Sequence, residues 1–411
     1  MTALQGRLPA YAGFAAVLSA AGLPIYIFAP KYYADTFGVS LTSIGAVLFA
    51  LRLLDVIQDP ALGWVAERLG RFKPAAMTAA AMVMALAMVG LFCDTQLFSP
   101  LIWFAVTIAA LFSAFSFLTI GFYSQGVAKA ATLYGGHVRL AAWRESGGLL
   151  GVCVAAVLPS AFAVFHEAPF SVYGVIFAIA VLPAAWAMWP EWRPVGPARA
   201  ATPPLAILRD RVARRLMILA MVNAAPLAVS STLFLFFVES RLDAAGWEGP
   251  LLVLFFLSAA VSAPVWGALA RKYGERRVLL TAMVMAVASF GVTLMLGVGD
   301  APIFAVICVL SGATIGADLT LLPALFARRM SVIAPNGGQG FGLWSFVNKF
   351  TLAFAAVSLL PILEAAGFQS GSGDTPALAL ATLTVLYAAV PIVLKLVAIQ
   401  LLLATKREDI E

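Results

Sequence analysis

Long apolar runs follow one another along almost the whole of this 411-residue chain. A helix needs about 20 mostly apolar residues to cross a bilayer. Backbone polar groups must be satisfied within lipid, so we expect each run to form a helix. The chain is 62% hydrophobic and 11% charged, against about 25% charged in soluble domains. An all-α integral membrane protein is therefore predicted, with twelve transmembrane helices near residues 10–30, 41–66, 74–93, 100–127, 142–165, 171–189, 214–238, 250–270, 278–298, 302–327, 341–364 and 377–404.

The 26 basic residues are distributed unevenly among the connections between these runs. Most lie at the termini or in connections that follow even-numbered runs, whereas the connections after odd-numbered runs hold Lys31 and Arg241. Basic residues concentrate on the cytoplasmic side of membrane proteins. We therefore expect a multi-pass protein of the cell inner membrane with both termini in the cytoplasm. The alternation also supports the helix count, because one miscounted helix would scramble it.

A proline-rich basic segment, residues 190–212, is the longest polar connection. It predicts a cytoplasmic linker between an N-terminal six-helix bundle, residues 1–189, and a C-terminal six-helix bundle, residues 213–411. A repeated loop supports the division, since GWVAERLGRFK and GALARKYGERR share glycines and basic residues in register. We expect these loops to form tight turns and to act in gating, through Gly63, Glu67, Arg68, Gly70, Arg71, Gly267, Arg271 and Gly274.

Two similar halves and this loop resemble the major facilitator superfamily, in which substrate lies near the bilayer midplane between the halves. Glu67 stands where the superfamily's loop usually has aspartate. The resemblance implies transport by alternating access.

Three charged residues interrupt the second apolar run. Arg52, Asp55 and Asp59 are spaced three and four residues apart, which puts them on one face of a helix. Charges near the bilayer centre are costly and are functional hypotheses by default. The two carboxylates could ligate a small cation or share a proton. They could instead form a structural salt-bridge cluster with the arginine.

Later runs contain three further charged residues. Lys349 needs a partner in an apolar bundle, and we expect Asp55 or Asp59 to provide it unless the lysine extends to an interface. For Lys395 we expect a helix-packing or interfacial role. Asp318 is expected either to pair with the neighbouring cytoplasmic arginines or to line the cavity.

The fourth and fifth runs carry polar groups with two interpretations each. Ser116, Thr119 and Tyr123 lie on roughly one side of a helix, where hydroxyls could bind a cation or a hydroxylated substrate, or only pack. Arg144 could bind a polar substrate group or act as a cytoplasmic gate. Glu145, predicted at a helix N-terminus, would favour the helix dipole.

The second run and its following loop form a specific pattern: Arg52, Asp55, Asp59, Pro60, Gly63, Trp64, Arg71, Lys73 and Pro74. It closely resembles the second-helix signature of the glycoside–pentoside–hexuronide:cation symporters, a melibiose permease-like family of the major facilitator superfamily. Weaker matches are KYYADTFGVS, RLAAWRESGGLLG, GADL and GFGLWSFVNKFTLAFA.

The resemblance implies a secondary transporter that couples a sugar or related small polar solute to Na⁺, Li⁺ or H⁺. It implies cation binding by Asp55, Asp59 and Ser116. Arg52 and Lys349 would balance charge beside that site.

The matched substrate positions depart from the family's pattern, which makes this chain a divergent member. Solute binding would fall to Ser19, Thr119, Tyr123 and Arg144, yet Ser19 and Thr119 stand where galactoside-binding members have acidic residues. We therefore expect unchanged coupling residues and a changed substrate site. The alternative is a transporter or exporter of a non-sugar solute, such as an organic anion or a lipid-like molecule.

Cofactor chemistry is not expected beyond the coupling ion, nor a metal beyond Na⁺ at Asp55 and Asp59. Cys93, Cys153 and Cys308 match no metal or redox spacing. The sequence has no nucleotide-binding loop or His/Asp/Glu cluster, so we do not expect an enzyme. The expected partners are the solute, the cation and the lipid bilayer, not nucleic acid, and the expected state is a monomer.

Overall fold

The computed structural model describes residues 7–22, 29–93, 96–130, 133–162, 165–193, 203–368 and 376–405. Within these ranges the regular secondary structure is helical. The α-helices are α1 Leu8–Ala20, α2 Ala29–Phe37, α3 Leu41–Arg68, α4 Lys73–Leu91, α5 Pro100–Ala130, α6 Gly136–Phe162, α7 Pro169–Met188, α8 Pro204–Arg209, α9 Arg211–Phe236, α10 Glu248–Tyr273, α11 Glu275–Gly291, α12 Ala301–Ile333, α13 Gly338–Ala365, α14 Ala377–Thr384 and α15 Val390–Ala404.

Among the described residues, every predicted apolar run falls on a helix, and residues 23–28 of the first run lie outside the described residues. In the part of the chain that the structure describes, 9 helical segments are long and apolar enough to cross a membrane. The remaining three predicted runs correspond to α1, α3 and α13. The predicted all-α membrane architecture is confirmed.

One predicted boundary is wrong, because α6 begins at Gly136 and not at residue 142. The polar residues His137 and Arg139 lie in the first turns of α6. They interrupt the apolar pattern there, so the pattern places the start of the helix too late. Glu145 consequently lies well inside the helix. Its predicted interaction with the helix N-terminus does not occur.

Two helices of the C-terminal half contain π-helical turns. Helix α9 continues into the π turn Phe237–Arg241, and the π turn Val385–Ala389 joins α14 to α15. The rings of Phe237 and Tyr387 stack at 4.1 Å between these two turns. Such turns insert an extra residue into a helix, and here a buried aromatic pair fills the space beside them.

The chain divides into two compact units. The first unit comprises Met1–Arg209 and Ala327–Phe346, and the second comprises Asp210–Phe326 and Val347–Glu411. The end of α12 and the start of α13 therefore belong to the first unit. The sequence had assigned both to the C-terminal bundle. The predicted bundle boundaries remain predictions, and residues 194–202 of the predicted linker lie outside the described residues.

Each unit has its own core. In the first unit α1 packs on α6, α3 packs on α5, and α4 packs on α5 and α7. Its buried aromatic residues include Tyr11, Phe122 and Trp192. In the second unit α15 packs on α9 and α11. Its core contains Phe237, Phe304 and Tyr387.

The contact between α1 and α6 depends on glycine. A Cβ at Gly147 would lie 2.1 Å from the carbonyl oxygen of Ala12, so only a residue without a side chain allows this approach. We expect Gly147→Ala to destabilise the protein by about 1–3 kcal/mol through overpacking. Thermal unfolding in detergent measures the loss. Gly13→Ala, where nothing lies within 4 Å of the new Cβ, is the matched control, and equal melting of the two variants would contradict the prediction.

Candidate functional site

Helix α3 carries the charged residues of the second apolar run. It continues without a break from Leu41 to Arg68 and includes Pro60, so Arg52, Asp55 and Asp59 share one helix. The Asp59 side chain is fully buried. The side chains of Arg52 and Asp55 lie outside the described part of the structure, so their predicted face and roles remain predictions.

Asp59 is hydrogen-bonded to a residue that the sequence analysis missed. The Ser345 hydroxyl on α13 donates to Asp59 Oδ2 at 2.7 Å. Gly342 makes the approach of α13 possible, because a Cβ there would lie 2.9 Å from the Asp59 carbonyl oxygen. Ser345 precedes Lys349 by one helical turn in LWSFVNKF. That spacing beside an intramembrane lysine is the signal that could have identified it.

Helix α5, which carries the second predicted cation ligand Ser116, is joined to α3 at the residue before Asp59. The Ser113 hydroxyl donates to Gln58 Oε1 at 3.0 Å and so joins α5 to α3. Gln58 directly precedes Asp59, and Ser116 follows Ser113 by one turn. Ser116 is fully buried. Carboxylate and hydroxyl oxygens are hard ligands that suit a small cation.

The first predicted gating loop contacts the start of α13. The Gln339 backbone N–H donates to Glu67 Oε1 at 2.7 Å. A helix N-terminus has unsatisfied N–H groups and a partial positive charge, so a carboxylate is favoured there. Gly63 lies against Gly338, since a Cβ at Gly63 would be 2.6 Å from the Gly338 carbonyl oxygen. The loop signature therefore ties α3 to α13 within the first unit.

Both predicted loops contain tight turns at a glycine. Gly70 has φ 46° and Gly274 has φ 90°, values that L-residues with side chains rarely adopt. Gly274 is the single residue between α10 and α11. In the second loop Gly267 is buried and Arg271 is exposed.

The basic residues of the first loop lie over aromatic rings. The Arg68 guanidinium is 3.8 Å from the Trp64 ring centroid, and the Arg71 guanidinium is 4.8 Å from that of Phe72. Both arginines are exposed. Exposed cation–π contacts are worth about 0.5–1 kcal/mol, so these contacts shape the loop without fixing it strongly.

The Glu67 contact can be tested at one amide. Glu67→Ala removes the acceptor of the Gln339 N–H, and loss of such a cap costs about 1 kcal/mol. We expect this amide to exchange with deuterium about fivefold faster, as that free energy implies. Hydrogen-exchange mass spectrometry of peptides that cover 336–342 measures the change.

Glu67→Gln is the matched control, because its side-chain oxygen can still accept the bond. In Glu67→Gln the Gln339 amide should exchange faster than in the wild-type protein and more slowly than in Glu67→Ala. Unchanged exchange in Glu67→Ala would show that the carboxylate does not cap α13 in solution.

Two of the predicted solute-site residues, Tyr123 and Arg144, have polar and ring contacts with each other and with neighbouring residues. The Tyr123 hydroxyl donates to Glu145 Oε1 at 2.9 Å, and Arg144 Nε donates to the same oxygen at 2.8 Å. The Arg144 guanidinium stacks 3.6 Å from the Tyr123 ring centroid. The Phe341 ring packs against that of Tyr123, with ring centroids 5.2 Å apart. Glu145 is thus the counter-ion of Arg144, which the sequence analysis missed.

Several buried polar atoms near this cluster have no hydrogen-bond partner among the described residues. They are Arg144 Nη2, Thr119 Oγ1 and the Tyr11 hydroxyl. Thr119 precedes Tyr123 by one turn of α5. Ser19 packs on Gly148, one turn after Arg144, because its Oγ lies 2.8 Å from an ideal Cβ at Gly148. Helices α1, α5 and α6 therefore bring the four predicted solute-binding residues into adjacent turns.

The remaining predicted charges lie on later helices. Lys349 is half-buried on α13, and its predicted pairing with Asp55 or Asp59 remains a prediction. Asp318 pairs with Lys395, and both are buried. The arginine alternative for Asp318 and the interfacial alternative for Lys395 are therefore wrong, whereas these contacts between helices fit the helix-packing alternative for Lys395. The two residues meet because α12 and α15 approach each other in the second unit. The sequence around each residue does not predict this approach.

Comparison with known proteins gives a family and a fold. The family model described as MFS/sugar transport protein matches residues 9–407. A crystal structure of a bacterial homologue of the iron transporter ferroportin, in the outward-facing state, superposes with TM-score 0.73 at 14% identity, covering 97% of this chain and 99% of that chain. The human organic anion transporter MFSD10 (TETRAN) superposes with TM-score 0.67 at 18% identity, covering 97% of this chain and 100% of that chain. At these identities the two structures indicate the fold alone.

Proposed function

Because the chain belongs to the MFS/sugar transport protein family of the major facilitator superfamily, and is therefore a transporter and not an enzyme, we propose that it is a cation-coupled secondary transporter. In this proposal it carries a sugar or related small polar solute together with Na⁺ or H⁺ by alternating access. The cell inner membrane, cytoplasmic termini and a monomeric state are part of the same proposal.

The observation that carries this proposal is the fully buried carboxylate of Asp59. A carboxylate inside a membrane-spanning helix is a functional candidate by default. Its oxygen atoms are hard ligands that suit Na⁺, and the same group can bind a proton. A carboxylate has about four acceptor positions, so ion binding is compatible with the hydrogen bond from Ser345.

Helix α13 provides the route by which ion binding affects the gating loop. Ser345 on this helix donates to Asp59, and the Gln339 N–H at its start donates to Glu67. An ion that binds Asp59 changes the electrostatic environment of the Ser345 bond and thereby biases the position of α13. Coupling of this kind is reciprocal, so solute binding would also alter ion affinity.

The cluster on α5 and α6 supports a polar solute. Arg144 and Glu145 offer a donor and an acceptor next to the Tyr123 hydroxyl, while the Arg144 guanidinium itself covers a face of the Tyr123 ring. Sugars carry several hydroxyl groups, and such a pair of donor and acceptor suits them. Asp55 and Ser116 would complete the cation ligands, with Arg52 and Lys349 balancing the charge.

A second candidate solute is an organic anion. Arg144 Nη2 is buried without a hydrogen-bond partner among the described residues, and a guanidinium donor is well suited to a carboxylate. Neutral Ser19 and Thr119 replace the acidic residues that would repel such a solute. This observation favours an anionic solute over a neutral galactoside.

Uptake by proteoliposomes tests the proposal. Purified protein is reconstituted, and an inward Na⁺ gradient or proton gradient is imposed separately. Radiolabelled sugars, uronates and other organic anions form the solute panel. We expect one solute class to accumulate above its external concentration under one of the two gradients. Transport that responds to neither gradient would overturn cation coupling, and direction of movement under each gradient separates uptake from export.

A further inference from the structure

The second unit contains a buried polar triad formed by three helices. Asn223 lies on α9, Asp318 on α12 and Lys395 on α15, with exposed fractions of 2%, 5% and 4%. Lys395 Nζ donates to Asn223 Oδ1 at 2.7 Å and also to Asp318 Oδ2, with which it forms an ion pair. These residues lie far apart in sequence, so only tertiary packing brings them together.

The triad has the composition of a cation site. Carboxylate and amide oxygens are the hard ligands that alkali cations accept in proteins. A lysine ammonium is a compact point charge, unlike the planar guanidinium of arginine. Here it contacts one carboxylate oxygen and one amide oxygen. The ammonium thus lies where a monovalent cation would satisfy the same two oxygens.

A second feature distinguishes the triad from a fully satisfied structural ion pair. Asp318 Oδ1 is buried and has no hydrogen-bond partner among the described residues. An acceptor left unpaired in the interior is costly. The lysine engages one of the two carboxylate oxygens of Asp318, and the other oxygen could also ligate a cation. The ligand set is therefore incompletely filled.

Other charged side chains of the packed helices do not provide the counter-charge. The charged residues of α9, α10 and α11 lie near helix ends: Arg211, Arg214, Arg215, Glu248, Arg271, Lys272, Glu275, Arg276 and Arg277. Arg276 instead donates to the carbonyl oxygens of Leu402 and Leu403 at the end of α15. Within the described residues, Lys395 is the cation that Asp318 contacts.

We propose that Asn223 and Asp318 form a monovalent-cation site in the second unit and that the Lys395 ammonium occupies it as a built-in cation. A covalently attached cation cannot dissociate. The packing of α9, α12 and α15 therefore stays independent of the Na⁺ concentration. This site is separate from the proposed coupling site at Asp59.

Removal of the lysine should convert the triad into an exchangeable ion site. Full-length protein is prepared with Asp55→Asn and Asp59→Asn, so that the proposed coupling site does not contribute. Lys395→Met is added to this background, and thermal unfolding is measured in NaCl, KCl and choline chloride at equal ionic strength. A ligand that binds only the folded state raises the melting temperature. We expect Lys395→Met to melt several degrees higher in NaCl or KCl than in choline chloride, with saturation, and the background protein to melt equally in all three.

Two controls decide between the triad and a general salt effect. Lys272→Met removes an exposed lysine of the same unit and should leave melting independent of the cation. Asp318→Asn combined with Lys395→Met removes the charged ligand and should abolish the cation dependence. If folded Lys395→Met melts equally in all three salts, or if the double variant responds equally well, the proposal is overturned.

Lys395→Met leaves a buried carboxylate without its counter-ion, which can prevent folding. Lys395→Gln then provides the decisive variant. Its amide can still donate a hydrogen bond to Asp318, but it has no ammonium, so the position between Asn223 and Asp318 is open to a cation. We expect its melting temperature to rise in NaCl or KCl relative to choline chloride, and the absence of that rise would refute the cation site.

Discussion

Asp59→Asn is expected to abolish solute accumulation against a concentration gradient. The amide has nearly the same shape and its oxygen can still accept the bond from Ser345, but it has no charge to hold a cation. Hydrogen bonds and contacts to a charged group are worth about 1.5–3 kcal/mol, and each 1.4 kcal/mol is about tenfold in affinity. We therefore expect cation affinity to fall about 10- to 100-fold. The solute should then only equilibrate across the membrane.

Two measurements in proteoliposomes separate coupling from folding. Gradient-driven uptake reports accumulation, while counterflow between equal ion concentrations reports whether the protein still binds and moves solute. Asp59→Asn should lose the first and retain part of the second. Wild-type accumulation by this variant would remove Asp59 from the coupling site.

Ser345→Ala is the matched control for the Asp59 substitution. It removes the hydrogen bond of 2.7 Å but keeps the carboxylate. Loss of a hydrogen bond between a neutral hydroxyl and a charged carboxylate should lower cation affinity by no more than about tenfold. We expect accumulation to persist at a higher cation concentration. If both variants lose accumulation equally, coupling requires the hydrogen bond to α13 as well as the charge.

The helices could be predicted from the sequence because membrane helices leave a local signal. Runs of apolar residues identify them, and glycines at special backbone angles mark the turns at Gly70 and Gly274. The charges of α3 were visible for the same reason, since Asp59 interrupts an apolar run. The start of α6 was missed because His137 and Arg139 break its apolar pattern without breaking the helix.

The partners of these charges could not be predicted, because they depend on contacts between distant parts of the chain. Ser345 reaches Asp59 only because Gly342 lets α13 approach α3. Lys395 pairs with Asp318 because α12 and α15 pack together. An unpaired charge inside an apolar bundle is energetically costly. The sequence therefore predicts that each charge has a partner, but it does not identify that partner.

Substitution of Arg144 in the proposed solute site is expected to cause a large loss of solute affinity. Its guanidinium combines a stacked plane over Tyr123, a bond to Glu145 and the unpartnered Nη2. Arg144→Lys keeps the charge but loses the plane and most of the donors. Arg144→Gln loses the charge as well and leaves Glu145 without its counter-ion. Combining Arg144→Gln with Glu145→Gln restores neutrality and protects the fold.

The charge of the solute determines how these variants rank. For an anionic solute, we expect Arg144→Lys to weaken binding about tenfold and the neutral double variant about 100-fold or more, since a charged hydrogen bond is worth about 1.5–3 kcal/mol. For a neutral sugar, Arg144→Lys and the double variant should weaken binding to a similar extent, because geometry and not charge is lost in both. Competition against radiolabelled solute in the proteoliposomes gives the affinities.

Tyr123→Phe is the control within the same cluster. It keeps the ring under Arg144 and removes only the hydroxyl bond to Glu145. We expect a loss of affinity of no more than about fivefold, in line with about 1 kcal/mol for a neutral donor. Wild-type solute affinity in both Arg144 variants would contradict the proposed solute contact. The bond between Arg144 and Glu145 would then have a structural role within the first unit, and other residues would bind the solute.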